Sequence, residues 1–188
     1  MKITFVTSNK GKLKEVRGIL SEFGIEVENV DMDIPEIKSF SQREIVREKA
    51  RYAIKFLKKP LVVEDTGIYF KTYRNFPGTF SKFVFQSLGL KGILKLLKNE
   101  IRDAYFLSMV AYCEPGKEPL LFEGKCEGII TKKVVGKVDK KLPYDSIFIP
   151  KGDKRTFSQM TKEEKARYSH RAKAFRKFAK WWLKYGRE

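Results

Sequence analysis

A strand–turn–helix–strand pattern at the start of the chain narrows the choice of fold more than any other feature. Lys2–Thr7 is a short run of β-branched and aromatic residues, which reads as a buried strand. Ser8-Asn9-Lys10-Gly11 then turns the chain. A helix follows from Lys12, with Leu13, Val16, Leu20 and Phe23 at helical spacing and Gly24 as its stop. Glu26–Val30 reads as the second strand and Asp31–Phe40, holding Pro35, as a loop. Ser41 caps a second helix running to about Lys59, with Val46, Ala50, Ala53 and Leu57 on its apolar face and Pro60 beyond it. Leu61–Val63 is a third buried strand, with Glu64-Asp65-Thr66-Gly67 at its C-terminal end. Strands that alternate with helices imply parallel pairing and helices packed on the sheet faces.

The later chain adds antiparallel elements. Pro77-Gly78 marks a turn, and short helices are expected over Ser81–Leu88 and Leu90–Asn99. Asp103–Cys113 and Leu120–Thr131 read as long strands of a hairpin turning at Glu114-Pro115-Gly116. Asp145–Pro150 is a strand or extended segment, Thr161 with Glu164 a capping box, and Ser169 the start of a last helix with Ala172, Phe175, Ala179 and Trp182 on one stripe. The expected class is α/β with a mixed sheet flanked by helices. Polar clusters fall at strand ends, where open α/β sheets carry their sites.

Composition limits the alternatives. The chain of 188 residues fits one domain, residues 1–188, and 42% hydrophobic content supports a core. No apolar run approaches the ~18–20 residues that span a bilayer. The N-terminus lacks the pattern of a secretion signal, so a cytoplasmic protein without membrane contact is expected. Cys113 and Cys126 form no CxxC pair and read as reduced thiols. The net charge of +17, densest over Lys162–Arg187, implies attraction to polyanions. A solvated Lys/Glu surface explains part of that charge, so charge alone does not separate an enzyme from a basic nucleic-acid-binding domain without catalysis, which stays as the alternative.

Four clusters carry chemistry. Thr7-Ser8-Asn9-Lys10-Gly11-Lys12 joins a strand to a helix N-terminus, an arrangement suited to phosphate, although the spacing is not that of a Walker loop. Glu64-Asp65-Thr66 puts two carboxylates on one strand, of which only one faces a given side. With a third carboxylate such as Glu36 they suit Mg²⁺, a hard cation. Ser169-His170-Arg171 holds the one histidine of the chain. Leu142-Pro143-Tyr144-Asp145 offers an aromatic face and an acceptor.

In order and spacing these clusters resemble the inosine triphosphate pyrophosphatase family over nearly the whole chain. The Thr-x-Asn-x-x-Lys pattern, the Glu-Asp-Thr-Gly segment and the Ser-His-Arg triplet carry the likeness. The resemblance implies an elongated mixed sheet with two lobes around a central nucleotide cleft, and usually a homodimer. It implies cleavage of ITP, dITP or XTP to the monophosphate and pyrophosphate, with Mg²⁺ or Mn²⁺ and no specific nucleic acid. Carried over by residue, Thr7, Ser8, Asn9, Lys10, Gly11, Lys12 and Lys82 hold phosphates. Glu36 and Asp65 hold the metal, Asp65 is also the proton acceptor, and Thr66 touches substrate. Leu142, Pro143, Tyr144, Asp145, Lys165, His170 and Arg171 form the base pocket. The family's fourth motif usually reads Phe-Gly-aromatic-Asp-Pro. This chain keeps Tyr144 and Asp145 but has Leu142, Pro143 and Ser146 around them.

Overall fold

A computed structural model describes residues 1–186; Arg187, the end of the basic C-terminal stretch, lies outside the described residues. The elements are β1 (Lys2–Val6), α1 (Lys10–Ser21), β2 (Glu26–Val30), α2 (Gln42–Leu57), β3 (Leu61–Phe70), β4 (Phe76–Gly78), α3 (Ser81–Leu96), β5 (Asp103–Cys113), β6 (Leu120–Ile130), β7 (Phe148–Pro150), α4 (Lys162–Tyr168) and α5 (His170–Tyr185). The sheet runs β2-β1-β3-β5-β6-β7, with β4 also paired to β3. β1 pairs parallel with β2 and β3. The β3–β5, β5–β6 and β6–β7 pairs are antiparallel, giving the expected mixed sheet.

The caps form where the residue types predict. Asn9 caps α1, its side-chain oxygen accepting from the Gly11 and Lys12 amides. Ser41 accepts from Glu44 at the start of α2, and Thr161 and Glu164 form the capping box of α4. Ser169 caps α5 through the Ala172 amide. The two expected short helices form within α3 on either side of a kink at Gly89, whose φ of +61° departs from the helical region, and the second ends at Leu96.

Helices cover both faces of the sheet. One core packs Ile3, Phe5, Val62, Val110 and Tyr112 under α1 and α5. A second packs Leu61, Val63, Met109 and Ala111 under α2. A third gathers Ile68, Phe70, Phe106, Phe148 and Phe157 at the far end. Leu61 and Val63 therefore face α2, while Val62 faces α1 and α5, as strand alternation requires.

Two expectations are corrected. The third strand does not end before Glu64: it continues to Phe70, so Glu64, Asp65 and Thr66 lie in mid-strand. The chain tolerates these polar residues there because β3 loses a neighbour at that point. The β1 ladder reaches only Val62, and β4 takes up the same edge from Ile68. Among the described residues, 63–67 have no ladder partner on that edge. The second correction concerns Asp145, which does not begin a strand. Pro143–Ser146 is a tight 3₁₀ turn, and only Phe148–Pro150 pairs as a strand. Pro143 at the first position of that turn accounts for the change, since its fixed φ suits a helical start and it has no N–H for a ladder.

Candidate active site

The gap beside β3 opens into a cleft of about 620 Å³. Thr7, Ser8, Asn9 and Lys12 come to it from the β1–α1 turn, Glu36 from the following loop, and Asp65 and Thr66 from β3. Lys82 lines it from α3, Leu142 to Asp145 from the 3₁₀ turn, and His170 and Arg171 from the start of α5. Of the residues expected from sequence, Lys10, Gly11 and Lys165 are not among those lining the cleft. Lys165 lies just behind it, buried and ion-paired to Glu15 and Asp145.

The two adjacent carboxylates face opposite ways. Glu64 points toward α1 and α5, where Lys12 Nζ lies 2.7 Å from Oε2 and Arg171 Nε 3.3 Å from Oε1. Ser108 donates to Glu64 Oε1 at 2.7 Å, and Thr66 also donates to that oxygen. Burial pushes the Glu64 carboxyl up, but Arg171 and Lys12 outweigh it and hold the group well below the usual carboxylate range. A charge held this firmly by two cations is a brace rather than a base.

Asp65 points toward α2. Lys49 Nζ donates to its Oδ1 at 2.9 Å, and Gln42 Nε2 to its Oδ2 at 3.2 Å. The same ammonium lies 2.5 Å from Glu36 Oε1. Burial lowers the Lys49 pKa, but Asp65 and Glu36 outweigh it and raise it above the ordinary value. A cationic group thus already sits between the two carboxylates expected to hold a metal. Among the described residues, no three His, Cys, Asp or Glu side chains gather as a closed metal cage. Two carboxylates beside an open cleft fit Mg²⁺, which takes one or two carboxylates and completes its shell with phosphate oxygens and water.

The β1–α1 turn is partly committed. The Asn9 side-chain oxygen takes the Gly11 and Lys12 amides at 2.9 and 3.1 Å, and its amide donates to the Lys141 carbonyl at 3.2 Å. Asn9 therefore shapes the turn and ties it to the loop before Leu142, rather than presenting a free donor. Lys12 remains at the cleft, half-buried and linked to Glu64.

At the start of α5, His170 and Arg171 differ. Both are buried, at 2% and 1% exposure. The His170 ring stacks on Phe106, with centroids 4.4 Å apart, and neither ring nitrogen has a partner. Burial holds its pKa well below the usual histidine value, and the Arg171 and Lys165 charges push the same way. A buried imidazole without partners, at the wall of a cleft, is suited to a polar ligand. The Arg171 guanidinium is instead engaged by Glu15, by Glu64 and by Thr66 Oγ1 at 3.1 Å. Tyr144 is also less open than its motif suggests: it is buried, and its hydroxyl donates to the Ser81 carbonyl at 2.8 Å.

Sequence reasoning missed four residues. Glu15 holds both Lys165 and Arg171. Lys49 and Gln42 hold Asp65, and Ser108 holds Glu64. Lys49 and Gln42 carry a usable signal, since polar residues on the buried side of an amphipathic helix require partners. Glu15 and Ser108 give none, because their partners come from distant elements.

Comparison with known proteins identifies the family. The pattern of the Ham1 family matches residues 3–181. The dITP/XTP pyrophosphatase of Methanopyrus kandleri is 45% identical, over 97% of this chain and 96% of its own. That of Saccharolobus solfataricus is 42% identical, over 95% and 92%. Among solved structures, the Staphylococcus aureus Ham1 protein shares the fold with a TM-score of 0.81 at 24% identity, over 98% of this chain and 99% of that one. With the family pattern spanning almost the whole chain and such relatives on either side of it, the chain belongs to the Ham1 family.

Proposed function

We infer that this chain hydrolyses non-canonical purine nucleoside triphosphates, ITP, dITP and XTP, to the monophosphate and pyrophosphate. The observation that carries the reading is a single cleft lined by Lys12, Lys82 and Asp65 together with a buried imidazole, His170, whose ring nitrogens have no partner. A nucleic-acid-binding domain has no need of that combination, and the family match does not favour it.

In this mechanism Lys12 and Lys82 neutralise the triphosphate, and the turn shaped by Asn9 seats it. Asp65 takes the proton of a water whose oxygen bonds to the α-phosphorus. The bond to the bridging oxygen then breaks, and pyrophosphate leaves against the lysines. Glu36 and Asp65 are the residues that would hold Mg²⁺ or Mn²⁺, which when bound neutralises phosphate oxygens and orients the attacking water. Thr66, which accepts from Arg171 at 3.1 Å and lines the cleft, is assigned to substrate contact. His170, neutral, presents an N–H to the 6-keto oxygen of hypoxanthine or xanthine. A site built around such a bond can reject its mismatch by ~10⁴-fold.

In the same reading the chain acts as one domain and as a cytoplasmic homodimer. Exposed Phe56 and Phe83 support pairing, and sedimentation measures it directly. Among the described residues, no helix is long and apolar enough to cross a membrane. The deciding experiment offers ITP, XTP, GTP and ATP with and without Mg²⁺ and resolves all phosphate products. Metal-dependent IMP and pyrophosphate, with ATP largely untouched, is the expected result. Orthophosphate and IDP would overturn it.

A further inference from the structure

We propose that Gln42 is a positioning residue for Asp65, and that Tyr69 fixes the amide through which it acts. Gln42 is the first residue of α2, yet only 3% of it is exposed. Burying an amide is costly unless each polar atom finds a partner. Here each does. Nε2 donates to Asp65 Oδ2 at 3.2 Å and to the Leu107 carbonyl at 3.2 Å. Oε1 accepts from the Tyr69 hydroxyl at 2.8 Å.

This set of partners leaves the amide one orientation. A glutamine amide can turn over and exchange its oxygen and nitrogen at almost no steric cost. A carbonyl and an ionised carboxylate only accept, so the nitrogen has to face Leu107 and Asp65. The hydroxyl of Tyr69 then donates to the oxygen left on the other side. Turning the amide over would set Oε1 against Asp65 and the Leu107 carbonyl, breaking both of those bonds and reversing the one to Tyr69. The Tyr69 ring is itself held, stacked flat on Tyr105 with centroids 4.8 Å apart.

The result is a grip on both oxygens of one carboxylate from one helix. Lys49, two turns along α2, takes Oδ1, and Gln42 takes Oδ2. Lys49 is shared with Glu36, so its hold on Asp65 changes with whatever else Glu36 binds. The neutral amide has no such second carboxylate. It keeps the plane of Asp65 fixed while charges in the cleft change. An error of ~1 Å at a reacting group can cost ~10²-fold in rate.

The proposal rests on Asp65 as the proton acceptor, so Asp65→Asn is measured alongside. With ITP as substrate, Gln42→Leu is expected to lower kcat about tenfold or more, with KM within about threefold of the parent. Tyr69→Phe should lower kcat by several-fold in the parent and add nothing in the Gln42→Leu background, because Tyr69 acts only through the amide. Its melting temperature reports folding, and if Gln42→Leu fails to fold, the Tyr69→Phe kcat decides. Unchanged kcat in folded variants while Asp65→Asn is inactive would overturn this proposal alone. So would a Tyr69→Phe loss that persists undiminished in the Gln42→Leu background. An active Asp65→Asn would overturn the role of Asp65 and this proposal together.

Discussion

Asp65 and Glu64 are neighbours in sequence with different work, and the difference lies in what faces them. Both line the cleft, but Glu64 meets two cations, Lys12 and Arg171, on one face of the sheet, while Asp65 meets Lys49 and Gln42 on the other. Asp65→Asn keeps the shape and removes the proposed proton acceptor, so kcat for ITP should fall ~10²–10⁴-fold with the fold intact by circular dichroism. At the other end, a single carboxylate, Glu15, pins Lys165 and Arg171. Glu15→Gln leaves two buried cations short of one negative charge, and their unsatisfied charge should lower the melting temperature by several degrees. His170 makes a separate, pH-dependent prediction. Its folded pKa lies below the free value, so the unfolded chain takes the proton first. Stability is therefore full above about pH 6.5 and falls below it by up to about 1.4 kcal/mol per pH unit. Denaturant titrations between pH 7 and 5 should show that slope, and His170→Gln should flatten it. The same substitution should narrow the preference for ITP over ATP in kcat/KM.

Among the elements, β3 and α5 decide where the site forms. β3 runs on past its carboxylates, and the mismatch between the β1 and β4 ladders leaves its edge open at 63–67. Short polar runs then survive within a strand, because their backbone and side chains face a cleft instead of a neighbouring strand. The start of α5 lies directly on β6 at Gly124. A Cβ built there would come within 2.0 Å of the His170 carbonyl and 2.5 Å of the Ala174 amide, both of them backbone atoms. Gly124→Ala should force the helix start outward and carry His170 and Arg171 with it. A loss of ITP preference together with a lower melting temperature is the expected pair of effects. Wild-type behaviour in both would show that α5 has room to shift.

For the whole molecule, a net charge of +17 meets a tetra-anionic substrate. Such a field raises the encounter rate and weakens as salt screens it. kcat/KM for ITP should fall several-fold between about 20 and 300 mM NaCl, while kcat stays nearly level. A kcat that falls in parallel would place the salt effect on the chemical step.

Much of this protein was legible in its order of residues. Local periodicity and caps marked α1, α2, α4, α5 and the long hairpin, because those signals depend on neighbours three or four residues away. Of the motifs at Thr7–Lys12, Glu64–Thr66 and Ser169–Arg171, the structure brings Thr7, Ser8, Asn9, Lys12, Glu64, Asp65, Thr66, His170 and Arg171 to one cleft, a grouping that the family resemblance implied and no single local run did. What stayed hidden depends on contacts across distant elements. Glu15 meets Arg171, and Gln42 and Lys49 meet Asp65, only once the sheet has brought helices to both its faces. The true length of β3, the closed turn at Asp145 and the engagement of Arg171 are of the same kind. By itself the sequence determined the elements and the chemical cast. The tertiary structure alone decided which charges are spent on bracing and which stay open to a ligand, because burial and pairing are properties of the packed interior and not of any local run of residues.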